Sequence, residues 1–170
     1  MKIQRVLAGS PVQAVPTQAD VREAIDAESA DAARVVFDFN KHSLAQAMRF
    51  LGLTAVVVTY SGCGDSGQID EVGFQPSDVD EGLRRVIVAT TQQRWDHNLA
   101  LGCSELSFCE RLLRDAAESL CDEAISLMSH DGYENSDGGS GTFTLQAADG
   151  AAALDHSDYY TECDTSTHAL

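Results

Sequence analysis

Beyond Arg114 the chain has no lysine and no arginine. From Asp115 to Leu170 it carries twelve aspartates and glutamates, so this last third holds −12 of the formal net charge of −16. The first 114 residues are close to balance, with 15 acids against 11 bases. Such a field repels DNA, RNA and anionic membranes and draws in basic surfaces. Lysine is scarce throughout, with only Lys2 and Lys41. Solubility or adaptation to salt would give the same bias, so the charge alone does not assign a role.

Long apolar runs are also missing. No stretch approaches the 18 or so residues that a membrane helix needs, and no such run follows the weakly basic start MKIQRVLAGSPVQAV. A cytoplasmic protein without a signal peptide or membrane partner is the expectation. The five cysteines, Cys63, Cys103, Cys109, Cys121 and Cys163, form no CxxC pair and are odd in number. That argues against a disulfide framework or a structural zinc site. Cys109 and Cys121 are expected as reduced, buried thiols on a helix.

What is present reads as a single α+β domain over 1–170: a helical part (1–52), a sheet with a long helix and the motif loops (53–160), and a polar tail (161–170). Thr17 is placed to cap a helix from about Gln18 to Arg34, with Val21, Ala24, Ile25 and Ala32 as its stripe. After a break at Val35–Phe39, Leu44, Ala47, Met48 and Leu51 mark a second helix, stopped at Gly52. LTAVVVTY, Leu53 to Tyr60, is a central strand, because its β-branched run is too continuous for a half-exposed one. QIDEVGF and RRVIVATT (Arg84 to Thr91) follow as strands around the acidic turn SDVDEG. Apolar spacing from Leu106 to Met128 predicts one long helix over about 104–130, capped by Ser104. GTFTLQA and AAALDHS are strands around the Ala148–Gly150 turn. The sum is a mainly antiparallel sheet of about five strands with the helices packed on it.

Two glycine-rich stretches stand out, YSGCGDSGQID (Tyr60 to Asp70) and GYENSDGGSGTF (Gly132 to Phe143). The letters of the first fit G-x-G-x-x-G, but a strand-like QIDEVGF follows where a dinucleotide site needs a helix. No lysine completes a Walker loop. GDSG also surrounds the nucleophile of chymotrypsin-like proteases, yet the chain is too short and the element order is wrong. His42 and His97 offer no paired base for Ser61 or Ser66, and Cys63 has acidic rather than basic neighbours. The second stretch fails the EF-hand register, since Gly138 at the sixth position puts Tyr133 first and Thr144 twelfth. An oxygen site from Asp65, Asp70, Glu134 and Asp137 would suit Ca²⁺ or Mg²⁺; otherwise no cofactor is expected. The bland alternative for this second stretch is an Asx-rich turn between the long helix and a strand.

These two stretches, with the downstream Leu154-Asp-His-Ser-Asp-Tyr-Tyr160, resemble a bacterial family of uncharacterised proteins carrying YSGSGDSGQIE, GWENNDGGSGTF and a D/H/Y-rich segment, often on mobile elements. The resemblance covers Tyr60 to the C-terminus. This chain departs from it with Cys63 for serine, Tyr133 for tryptophan and Ser136 for asparagine. The matching positions imply a binding role for Tyr60, Ser61, Asp65, Ser66, Gln68, Glu134, Asn135, Asp137, His156 and Tyr159. No activity comes with the resemblance, and no catalytic residue is assigned.

The expected function is therefore a non-enzymatic acidic binding protein. Asp155, Asp158, Glu162 and Asp164 would face a basic, nucleic-acid-handling partner, as in an anti-restriction or anti-CRISPR mimic of nucleic acid. The alternatives are a metal-assisted hydrolase built on the four carboxylates and a purely structural domain.

Overall fold

The computed structural model describes residues 18–77, 87–96 and 103–167. Thr17, the turn at 78–82, Arg84 and His97 lie outside them. The fold is α+β, in the order α1 (Gln18–Phe50), β1 (Ala55–Cys63), β2 (Ser66–Gln75), β3 (Ile87–Asp96), β4 (Cys103–Leu112), α2 (Leu113–Leu127), β5 (Gly139–Gln146) and β6 (Ala152–Asp158). Four strands form an antiparallel sheet in the order β2-β1-β5-β6, and β3 and β4 form a separate antiparallel pair. No helix among the described residues is long and apolar enough to cross a membrane.

β1 lies inside the four-stranded sheet, as its composition predicts. Val56, Val58 and Tyr60 alternate onto the core face, at most 1% exposed. Phe143 and Leu145 of β5 join them, and β5 and β6 meet through the turn at 147–150. There Asp149 Oδ1 accepts from the Ala151 amide at 2.9 Å, an Asx turn. Against this face α2 lays Leu113, Ala116, Ala117, Leu120, Cys121, Ala124 and Ile125, all buried at three- and four-residue spacing. Each large side chain buried here stabilises the fold by roughly 1.5–3 kcal/mol.

Three expectations are corrected. The segment read as the first third of a long helix over 104–130 is strand β4, and helix starts only at Leu113. Cys109 therefore sits on a strand, paired with Thr90, while Cys121 is helical as expected. The pair of N-terminal helices is one continuous helix of 33 residues, with no break at Val35–Phe39. No proline or glycine interrupts that segment, and β-branched residues alone lower helix propensity without ending a helix. Its buried row is Val36, Asn40, Leu44 and Met48, four residues apart. Gly52, at φ +75°, does terminate it, with the Leu53 amide donating to the Met48 carbonyl at 2.9 Å. Finally, the third expected strand pairs with β4 rather than joining the main sheet.

Candidate functional site

The first glycine-rich stretch is the β1–β2 hairpin. Cys63 pairs with Ser66, and the two-residue turn between them is Gly64-Asp65. Both turn residues have positive φ, +61° and +73°, the condition of a turn whose twist matches its strands. GCGDSG is thus strand–turn–strand and lacks the helix start that a phosphate cradle requires.

The second stretch lies directly on the first. The Asp65 amide donates to the Glu134 carbonyl at 3.1 Å. Glycines make this contact possible. A Cβ on Gly62 would sit 2.8 Å from the Glu134 backbone, and one on Gly67 would sit 2.7 Å from the Tyr133 hydroxyl. A Cβ on Gly138, itself at φ +86°, would sit 2.0 Å from the Gly62 carbonyl oxygen. The glycines of both stretches therefore form one bare strip of sheet under the 132–138 loop.

That strip makes room for a row across three strands. Tyr60 of β1 pairs with Gly141 of β5, which pairs with His156 of β6. Because Gly141 has no side chain, the Tyr60 hydroxyl reaches over it to His156 Nδ1 at 2.7 Å. On the other side of the ring, His156 Nε2 lies 3.0 Å from Asp158 Oδ1. His130, from the exit of α2, lies against His156 with ring centroids 4.0 Å apart and ring planes tilted by 32°. Tyr133 meets Tyr60 edge-on at 4.9 Å. The His156 side chain is only 4% exposed, whereas Asp158 is 74% exposed, so the row runs from core to solvent. Burial, and then the neighbouring Cys121, Tyr133 and Asp158, push the Tyr60 phenol up to about 12, so it stays protonated. Burial first, and then Asp122, Glu134 and nearby groups, raises Tyr133 as well.

The opposite face of the same sheet end carries a shallow cleft of about 440 Å³, lined by Ser61, Cys63, Ser66, Gln68 and Tyr159 with the backbone of Gly62 and Gly67. Beside it, Asp70 Oδ1 accepts from Ser61 Oγ and Gln68 Nε2, each at 3.0 Å. Ser140 and Tyr159 share a hydroxyl–hydroxyl hydrogen bond of 2.6 Å. The residues after β6 are tied to the second loop, since the Tyr159 amide donates to the Gly138 carbonyl and the Thr161 amide to the Asp137 carboxylate.

The motif residues thus occupy one end of the sheet but divide between its faces. Tyr60 and His156 are on the core side, and Ser61, Ser66, Gln68 and Tyr159 are on the outer side. Asp65, Glu134, Asn135 and Asp137 are turn residues. Asp137 anchors the chain after β6, and Asn135 closes its own turn, its amide donating to the Gly132 carbonyl at 2.9 Å. Asp65, Asp70, Glu134 and Asp137 do not gather as a ligand set. Among the described residues, the group of three or more metal-capable side chains is His130, His156 and Asp158 instead. Asp155, Asp158, Glu162 and Asp164 are all exposed. Sequence reasoning missed His130, Tyr133 and Ser140. The available signal was the matching of YSG with GSG at Tyr60–Gly62 and Gly139–Gly141, which pair strand to strand.

The profile of a family of unknown function, DUF6878, matches residues 36–170. The chain belongs to that family. No curated protein and no solved structure matches it.

Proposed function

We propose that this protein is a non-enzymatic binding module whose acidic C-terminal end docks on a basic surface of a nucleic-acid-handling protein. The observation that carries this reading is the exposure of Asp155, Asp158, Glu162 and Asp164 on edge strand β6 and the segment after it. Tyr159 and Tyr160, 53% and 84% exposed, stand among these acids. Acids with interleaved tyrosines suit arginine and lysine, through charge-assisted hydrogen bonds and cation–π contact. The specific form we favour is mimicry of nucleic acid, as in an inhibitor of a host defence protein carried by a bacterial mobile element. The alternative of a hydrolase on Asp65, Asp70, Glu134 and Asp137 has no gathered ligand set to support it.

The test is affinity capture from host lysate at low and high salt, with added DNA as competitor. A variant reversing Asp155, Glu162 and Asp164 to lysine is run alongside, with Asp158 left intact. The expected result is a basic partner recovered at low salt, displaced by DNA and lost by the variant. Equal recovery by the variant would reduce the acidity to a solubility feature.

A further inference from the structure

We infer that His130, His156 and Asp158 form a binding site for a divalent transition ion of the Zn²⁺ type. The site shares Asp158 with the proposed docking surface but is argued from its own geometry, and its test needs no partner.

Three features carry the inference. The first is placement: one nitrogen from each imidazole and one carboxylate oxygen lie within 4.8 Å of one another. Three points no further apart than that lie within about 2.8 Å of a common centre. Zinc bonds of about 2.0–2.2 Å to such donors then need movements of less than about 1 Å each. His130 is half-buried and Asp158 exposed, so both have room to make them.

The second feature is ring orientation. His156 is held with Nδ1 against the buried Tyr60 hydroxyl at 2.7 Å and Nε2 toward Asp158 at 3.0 Å. Histidine ligands are normally fixed in this way by a hydrogen bond at the nitrogen that does not bind the metal. With the ring proton on Nε2, Nδ1 accepts from the Tyr60 hydroxyl and Nε2 donates to the carboxylate. When a cation takes Nε2, the ring proton sits on Nδ1 and the phenol oxygen accepts it. A hydroxyl both donates and accepts, so Tyr60 can fill either role.

The third feature is the donor set: two imidazoles with ring centroids 4.0 Å apart, tilted by 32°, beside an exposed carboxylate. Two imidazoles and one carboxylate suit borderline ions better than Ca²⁺ or Mg²⁺, which prefer all-oxygen sets. The exposure of Asp158 leaves one side of the ion open to water or to a partner's side chain. That is the arrangement of a three-ligand open site rather than a closed structural one.

The experiment is calorimetric titration of the full chain, without an affinity tag, with Zn²⁺. Cys63 and Cys163 are replaced by serine so that exposed thiols do not compete. One ion per chain is expected. Asp158→Asn and His130→Gln should each weaken binding more than about tenfold. Tyr60→Phe should weaken it about 10- to 100-fold, as loss of an outer partner does. His42→Gln, exposed on α1, should change nothing. Melting of each metal-free variant controls for folding; if His130→Gln melts early, surface Asp158→Asn carries the test. Absence of stoichiometric binding, or unchanged affinity in Asp158→Asn, would overturn the inference.

Discussion

The amide of Asp65 donates to the carbonyl of Glu134 at 3.1 Å, between residues 69 positions apart in sequence. This bond belongs to a close backbone contact in which Gly62 and Gly138 touch, and no side chain fits between them. The glycines of the two stretches therefore serve packing between loop and sheet, with side-chain chemistry at their margins.

Gly138→Ala should destabilise the protein by about 3 kcal/mol or more, because positive φ and a backbone clash act together. Gly64→Ala is the control. It shares the positive φ, but nothing lies within 4 Å of the added methyl, so it should cost about 1–2 kcal/mol. Urea unfolding of the two variants measures the difference.

Glu123 should make stability fall as pH rises. Its carboxyl is pushed up to about 7, chiefly by burial, against partial relief from the Asn40 hydrogen bond and Arg111. Asn40 Nδ2 donates to Oε1 at 2.8 Å, while Oε2 is buried without a hydrogen-bond partner, beside a largely apolar cleft between α1 and α2. The folded carboxyl holds its proton to a higher pH than the unfolded one. Its contribution is therefore most favourable below the ordinary 4.5 and is lost by about pH 7, up to roughly 3 kcal/mol. Glu123→Gln should match the parent near pH 4.5 and exceed it in stability at pH 8. Parallel stability curves for the two proteins would contradict this.

Thiol labelling should divide the cysteines by environment. Burial, with Asp122 nearby, pushes Cys121 up to about 12, so it should resist alkylation until the chain unfolds. Cys63 and Cys163 are exposed and should react first. The Thr90 hydroxyl leads the groups that lower the Cys109 thiol. Residue-resolved mass spectrometry after brief alkylation at pH 7 reads the order.

Ca²⁺ and Mg²⁺ should leave the melting temperature unchanged, because the four loop carboxylates are not gathered. Zn²⁺ at about 100 times its Kd should add about 2.7 kcal/mol. Thermal melts with each ion check this, and stabilisation by Ca²⁺ alone would contradict it.

Much of the fold was legible because its signals are local. The β-branched run of β1, the stop at Gly52 and the turn between β5 and β6 depend on nearby residues. β4 was not legible for a physical reason. Leu106, Cys109 and Leu113 fit a helical stripe, and only pairing with β3 decides for strand. Nor does a side-chain cap mark where α2 begins: Leu112 fills the N-cap position with extended backbone and no capping hydrogen bond. The site was half legible. Period two places Ser61 and Gln68 by the cleft, but the Tyr60–Gly141–His156 row needs the strand order, which no local pattern states.

The central claim is that the acids on and after β6 steer a basic partner. The most direct test is the association rate of the captured partner with the parent and with the Asp155, Glu162 and Asp164 reversal, at two ionic strengths. Exposed charges more than a Debye length of about 8 Å apart are screened at physiological salt, so the parent's rate should fall steeply as salt rises. The variant should associate far more slowly at low salt, with dissociation little changed, as for charges at an interface rim. Equal association rates for parent and variant at low salt would contradict the account.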